Sequence, residues 1–131
     1  MIDLELTNEQ RLLEHTIREW GARDFAPRIR GLDREHRFDP DILPQMASLG
    51  LLGVSVPTEY GGAGMDYVSL GLACEELEYL DTSLRVVMSV HAGLNSLSLL
   101  SWGSEDQRQR YLVPQARGEK IGGYALTEPD A

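Results

Sequence analysis

Cysteine is nearly absent from this chain of 131 residues, which contains only Cys74. A single cysteine cannot form a disulfide within the chain, so a small disulfide-stapled fold is excluded. The histidines His15, His36 and His91 show no ligand spacing toward Cys74 or toward one another, which argues against a metal site. We expect His91 to be a hydrogen-bonded core histidine and Cys74 a small buried hydrophobe in a reducing, cytoplasmic setting.

Positive charge is also scarce. Lys and Arg number 12 against 21 Asp and Glu, which gives a net charge of −9 and an isoelectric point near 4.7. Such a surface repels nucleic acids and anionic membranes, so we expect neither as a partner. No apolar run reaches the roughly 20 residues of a membrane helix, and the acidic residues 1–5 do not resemble a signal peptide. We expect a soluble protein.

Extended patterns are rare, and most of the chain has helical periodicity. A hydrophobic content of 42% with 25% charged residues supports one domain with a substantial core. Thr7 with Gln10, and Ser104 with Gln107, have capping-box spacing and predict two helix starts. The sequence therefore predicts a mainly α fold, a helical bundle that occupies residues 1–120.

Prolines and glycines predict where the helices end. The first helix should start at residue 8 and be bent or ended by Pro27, before a loop at 31–39. Gly50 should adopt the left-handed conformation after a short second helix whose regular part begins near Pro44. Pro114 should interrupt the last helix.

Two segments should contribute much of the core. Residues 51–56 are apolar and should be extended or irregular, packed against neighbouring helices. Asp66 should cap the helix that follows it. Residues 84–102 are apolar on nearly every side, which predicts a helix buried against several partners.

Residues 121–127 are the one convincing extended segment. They are rich in β-branched and aromatic residues, and Pro129 ends the pattern. The glycine pair at 122–123 allows another group to approach the backbone closely, while Tyr124 and Thr127 offer a flat ring and a hydroxyl. This edge could hold a flat polar ring, or Tyr124 could simply pack and Thr127 cap a turn. Residues 121–131 would then begin a β domain.

Arg85 is the unusual charge of the apolar 84–102 segment, because a buried guanidinium requires an anion. Ser89 lies one helical turn later, so the two side chains could grip a carboxylate together. The alternative is an ion pair within the protein, with one of the carboxylates of Glu75, Glu76 or Asp81.

Three stretches in the required order resemble the acyl-CoA dehydrogenase family. They are residues 124–131 (Tyr-Ala-Leu-Thr-Glu-Pro-Asp-Ala), 56–64 (Val-Pro-Thr-Glu-Tyr-Gly-Gly-Ala-Gly) and 103–112 (Gly-Ser-Glu-Asp-Gln-Arg-Gln-Arg-Tyr-Leu). In that family the first of these continues into a Gly-Ser-Asp turn, which is not part of this sequence. The resemblance implies an amino-terminal helical domain at 1–120, followed at 121–131 by the first strand of a truncated middle β domain.

The resemblance also implies a function. The family oxidises acyl-CoA thioesters to 2,3-enoyl-CoA with FAD, uses electron-transferring flavoprotein as acceptor and forms homotetramers. By carry-over, Tyr124, Leu126 and Thr127 would bind FAD, whereas Arg85, Met88, Ser89 and Tyr124 would contact the substrate. No catalytic residue is expected here, because the family's glutamate base lies in a carboxy-terminal domain. If the 131 residues were the whole polypeptide, we would expect little activity and weak flavin binding.

Within the family, residues 85–89 (Arg-Val-Val-Met-Ser) most resemble the glutaryl-CoA dehydrogenase branch, where the arginine holds the far carboxylate of the substrate. Val86 departs from that branch, which has a small polar residue at this position. Two other functions remain open: a non-catalytic helical interaction module, and an acyl-CoA oxidase or flavin monooxygenase on the same fold.

Overall fold

The computed structural model describes residues 5–130, and within them the regular structure is entirely helical. This confirms the mainly α fold class. The α-helices are α1 (Asn8–Trp20), α2 (Ala26–Arg34), α3 (Ile42–Ser48), α4 (Tyr67–Leu80), α5 (Thr82–Met88), α6 (Leu97–Trp102), α7 (Glu105–Gln107) and α8 (Val113–Ala116). Wider π-helical turns occupy Gly21–Phe25, Ser89–Ser96 and Arg108–Leu112, and short 3₁₀ turns occupy Leu51–Gly53 and Thr58–Tyr60.

The first helix begins as the sequence predicts but does not end at Pro27. Thr7 and Gln10 form a reciprocal capping box at the start of α1. The chain then passes through the π turn Gly21–Phe25 into α2, and Pro27 lies in the first turn of α2. A backbone N–H in a first turn has no intrahelical acceptor, so the N–H that proline lacks costs no hydrogen bond there. The wider turn accommodates the proline without breaking the helix. The predicted loop at 31–39 is therefore wrong in its first half, because α2 continues to Arg34.

Between α2 and α4 the predicted turn chemistry is confirmed. Gly50 has a φ of 74° just beyond α3, as predicted. The start of α3 differs from the prediction, because the helix begins at Ile42 and Pro44 lies in its first turn. Residues 51–56 form a 3₁₀ turn and a bend with Leu51, Leu52, Val54 and Val56 buried, so this segment is irregular and tucked into the core. The Asp66 side chain accepts from the Ser69 N–H and caps α4.

The main core lies between α1, α3, α4 and α5. Its fully buried side chains include Ile17, Met46, Leu77, Leu84 and Met88. The helices α1 and α4 are also joined by Arg18, whose Nε and Nη2 donate to the two Glu76 carboxylate oxygens at 2.7 Å each. A second cluster, Val56, Tyr60, Leu112 and Ala116, packs the last helices against the 3₁₀ turns.

The segment 84–102 is buried on only one side. His91 and Ser96 are buried with Leu84 and Met88, but Val86, Leu94 and Trp102 are exposed. The prediction of burial all round is therefore wrong for both halves of the segment, which presents apolar side chains to an open face. Among the described residues no helix is long and apolar enough to span a bilayer, and no cluster of three or more metal-binding side chains occurs.

The end of the chain is irregular. Pro114 lies in the first turn of α8, after a π turn, so it does not interrupt the helix as predicted. After Gly118, which has a φ of 73°, residues 121–128 form no strand. A ladder requires a second strand, and residues 5–130 contain none. The division into a helical domain at 1–120 and a β domain from 121 remains a prediction, and Ala131 lies outside the described residues.

Candidate functional site

Two side chains of the π-helical segment Ser89–Ser96 hold the terminal segment. The Gly122 N–H donates to Nδ1 of His91 at 2.9 Å, and Nδ2 of Asn95 donates to the Gly123 carbonyl at 3.0 Å. Because Nδ1 of His91 accepts, the ring proton is on Nε2, which donates to the Gln115 carbonyl at 3.1 Å. His91 is completely buried, and burial lowers its pKa. The prediction of a hydrogen-bonded core histidine is confirmed.

The glycine pair behaves asymmetrically. A Cβ on Gly122 would lie 2.5 Å from Cγ of Asn95, whereas a Cβ on Gly123 would meet no atom within 4 Å. The predicted close approach therefore occurs at Gly122 alone, and the approaching group is the Asn95 side chain.

Beside this anchored segment lies an open cleft of about 550 Å³. Its size falls within the range of small-molecule sites. Trp102, Tyr124 and Leu94 are 88%, 62% and 50% exposed, so large apolar surfaces lie open there. The cleft is lined by Leu94, Asn95, Ser98, Leu99, Trp102, Gly103, Gln107, Tyr111, Gln115 and Tyr124.

Cationic side chains flank the ring of Tyr111 at this cleft. The Arg110 guanidinium carbon lies 5.3 Å and the Lys120 Nζ 5.7 Å from the ring centroid. These distances allow cation–π attraction. Positive charge beside this one lining side chain contrasts with the acidic balance of the chain and would favour an anionic ligand.

The three residues predicted to bind FAD lie on this exposed segment. Tyr124 lines the cleft, and both Leu126 and Thr127 are exposed. Within residues 5–130 the backbone of 124–127 and the Thr127 hydroxyl make no hydrogen bond, so their donors and acceptors are free. The cleft and these free polar groups fit a flat, partly polar ring.

The other predicted substrate residues lie elsewhere. Met88 is fully buried in the main core, and the Ser89 hydroxyl donates to the Val86 carbonyl at 3.2 Å. Nε of Arg85 donates to Glu78 Oε2 at 2.7 Å, which holds the pKa of Glu78 below its usual value. None of the three residues Arg85, Met88 and Ser89 lines the cleft at Tyr124. A substrate role for Arg85, Met88 and Ser89 remains a prediction.

Arg85 forms an ion pair within the protein, as the alternative prediction stated, although its partner differs from the predicted ones. The sequence suggested Glu75, Glu76 or Asp81, and the observed carboxylate is Glu78, seven residues before Arg85.

A larger opening of about 920 Å³ is lined by Arg18, Glu75, Glu76, Glu78 and Tyr79. Its cation is already paired with Glu76 and Glu14, so the surface is acidic and poorly suited to an anionic thioester.

Sequence reasoning missed Asn95 and the cleft formed by Leu94, Trp102 and Tyr111. A signal was present: Asn95 follows His91 by four residues and therefore lies on the same helical side. Trp102 and Leu94 were assigned to a buried helix because hydropathy alone does not show which face lacks a partner.

Comparison with known proteins identifies the family to which this chain belongs. Residues 7–119 match the family described as acyl-CoA dehydrogenase, N-terminal domain. A short-chain specific acyl-CoA dehydrogenase of Clostridium acetobutylicum is 39% identical over 99% of this chain and 34% of its own length.

Two solved structures have the same fold over 99% of this chain, each with a TM-score of 0.94. One was solved in work on the electron transferring flavoprotein of Acidaminococcus fermentans, with 34% identity over 34% of that chain. The other is butyryl-CoA dehydrogenase from Megasphaera elsdenii, with 31% identity over 35% of that chain. The chain thus spans about a third of the length of these proteins. It belongs to the acyl-CoA dehydrogenase family, and residues 7–119 form the amino-terminal domain of that family.

Proposed function

We propose that the intact gene product is an FAD-dependent acyl-CoA dehydrogenase that introduces a 2,3 double bond into a short acyl-CoA thioester. The observation that carries this proposal is the family match over residues 7–119, combined with an open cleft beside Tyr124. This chain would supply one edge of the flavin site and a wall of the acyl pocket.

The cleft suits this role in shape and chemistry. Tyr124 and Trp102 offer flat apolar surfaces against which a ring can pack. The free backbone groups of Leu126 and Thr127, with the Thr127 hydroxyl, would hydrogen-bond the polar edge of the isoalloxazine. The cations beside Tyr111 would favour the negatively charged parts of the ligands.

Bound FAD would supply the hydride acceptor for the β carbon of the substrate. The residues of this chain would bind and orient the flavin and the substrate, and they would exclude water. Tyr124 would also border the acyl chain. None of them is nominated as the base that removes the α proton. Glu128 is exposed on the terminal segment, and we assign it no chemical role.

A short, unbranched acyl group is the first choice of substrate, because similar proteins are a short-chain specific enzyme and a butyryl-CoA dehydrogenase. A glutaryl group is the second choice. A glutaryl-CoA dehydrogenase from Mycobacterium smegmatis also has this fold, and Arg85 keeps its terminal nitrogens outside the Glu78 contact, which uses Nε.

For electron transfer we propose an electron-transferring flavoprotein as partner, in view of the structure from Acidaminococcus fermentans. A homotetramer and a cytoplasmic location complete the proposal. An acyl-CoA oxidase or flavin monooxygenase would instead pass electrons to oxygen.

Purification of the intact gene product tests the proposal. We expect a yellow protein that reduces electron-transferring flavoprotein with butyryl-CoA and reacts slowly with oxygen. Fast oxygen consumption would favour the oxidase or monooxygenase, and a colourless protein that takes up no FAD would favour the interaction module.

Arg85→Gln separates the two substrate classes. If Arg85 holds a substrate carboxylate, the variant should lose kcat/KM for glutaryl-CoA much more than for butyryl-CoA. If Arg85 serves only its ion pair with Glu78, both values should fall together.

Thr127→Val tests the flavin contact, because valine keeps the shape of threonine and removes the hydroxyl. FAD affinity should fall by up to about tenfold, the effect of one lost hydrogen bond, with unchanged thermal stability. Thr58→Val is the matched control, since Thr58 is also exposed but lies in the 3₁₀ turn Thr58–Tyr60, outside the terminal segment that carries Thr127. Equal FAD affinity in both variants would contradict the assigned contact.

A further inference from the structure

We propose that His91 and Asn95 are positioning residues, which clamp Gly122 and Gly123 and thereby fix where the flavin-contacting segment 124–127 starts. The proposal rests on the function proposed above, because it concerns the placement of the same segment. The two side chains are called the glycine clamp below.

The glycine clamp provides the hydrogen bonds that attach the segment. In residues 121–130, as far as the structure describes them, hydrogen bonds occur only at the Gly122 N–H and the Gly123 carbonyl. The next residue is Tyr124, at the cleft. Any shift of the glycines would therefore be passed directly to the ring of Tyr124 and to the free backbone groups beyond it.

The clamp has a rigid base. Ring nitrogen Nε2 of His91 donates to the Gln115 carbonyl, and the Ser96 hydroxyl donates to the Gln115 side-chain oxygen at 3.1 Å. All three residues are buried. A fully satisfied buried polar network has one favoured arrangement, so it fixes the direction of Nδ1 toward Gly122.

Residue size reinforces the hydrogen bonds. Gly122 packs so closely on Asn95 that a Cβ would lie 2.8 Å from the Asn95 Cβ as well as 2.5 Å from its Cγ. A methyl group at position 122 would displace the Asn95 side chain from the Gly123 carbonyl. A methyl group at 123 meets no atom within 4 Å, so Gly123→Ala is a matched control.

Substitutions at His91 separate its two nitrogens. Asparagine places its side-chain oxygen at the distance of Nδ1 from Cβ, so His91→Asn keeps an acceptor for Gly122 and loses the donor to Gln115. Glutamine places its side-chain nitrogen at the distance of Nε2, so His91→Gln keeps the donor and loses the acceptor. Asn95→Asp keeps the size of the side chain and removes its donor.

The experiment measures hydrogen exchange and FAD affinity in the intact gene product. We expect His91→Gln, Asn95→Asp and Gly122→Ala to speed exchange of the peptide that contains Gly122 by about tenfold, the effect of one net hydrogen bond. Exchange of peptides from α4 should not change. The same variants should bind FAD more weakly. His91→Asn should show slower exchange and tighter FAD binding than His91→Gln. Gly123→Ala should show slower exchange and tighter FAD binding than Gly122→Ala.

Unchanged exchange in all variants would show that no clamp exists. Faster exchange with FAD affinity equal to that of Gly123→Ala would show a tether without a positioning role, which also overturns the proposal. A purely structural role would speed exchange in α4 to the same extent and would not be rescued by His91→Asn. Exchange does not require flavin, so a wild-type protein that takes up no FAD would refute the proposed function while the exchange data still decide whether the clamp exists.

Discussion

Acidification should weaken this fold through His91. The imidazole is completely buried, and its Nδ1 accepts from the Gly122 N–H. Protonation would turn that acceptor into a donor facing another donor and would place a charge in the core. Burial accordingly lowers the pKa of His91 in the folded protein.

The sign of the effect follows from proton linkage. The unfolded chain takes up a proton near pH 6.5 and the folded chain only at lower pH, so stability is fully present above about pH 6.5 and falls below it. Between about pH 7.5 and about pH 5.5 the loss can reach about 1.4 kcal/mol, if His91 stays neutral throughout in the folded state. The carboxylates of Asp66, Glu78 and Glu105 have lowered pKa values and stay ionised over this range.

Urea unfolding at several pH values measures this loss. The wild type should lose stability as pH falls, and the loss should be absent from His91→Gln. Direct NMR titration of His91 provides a second measurement should His91→Gln fold poorly. The same pH dependence in wild type and His91→Gln, or a His91 pKa near 6.5, would refute the reasoning.

Three further substitutions test the fold. Leu77→Ala removes a fully buried side chain of α4 and should cost about 2–5 kcal/mol in urea unfolding; a loss below 1 kcal/mol would show that Leu77 is not in the core. Gly62→Ala would place a Cβ 2.1 Å from the Val56 carbonyl oxygen, so the melting temperature should fall, and an unchanged value would contradict this close approach. Gly71 lies on the exposed face of α4, and a Cβ added there would meet no atom within 4 Å. Gly71→Ala should therefore raise the free energy of unfolding by about 0.5–1 kcal/mol. Destabilisation would show a contact that the structure lacks.

Features set by neighbouring residues could be predicted from the sequence. Both capping boxes, the Asp66 cap and the left-handed Gly50 depend on side chains a few positions away, and all are present. Of the predictions for the prolines, a helix end at Pro27 and an interruption at Pro114 are wrong, whereas a bend at Pro27 stays a prediction. Pro27 and Pro114 each follow a π turn that removes the conflict with the preceding turn, and the sequence carries no clear signal of such turns.

Features set by distant residues were predicted less well. The pair of Arg85 with Glu78 depends on how α5 meets α4, and the strand predicted at 121–127 depends on a partner strand. Asn95 was overlooked because its role exists only through Gly123, 28 residues later. Tyr124 was identified from a motif, and its position at the cleft agrees with that prediction without testing its role.

Anaerobic titration of the intact gene product with butyryl-CoA tests the central claim most directly. The account predicts that the protein retains or takes up FAD and that the substrate bleaches the oxidised-flavin absorbance. A protein that binds FAD yet shows no bleaching with butyryl-CoA, glutaryl-CoA or longer acyl-CoA thioesters would contradict the proposed dehydrogenase.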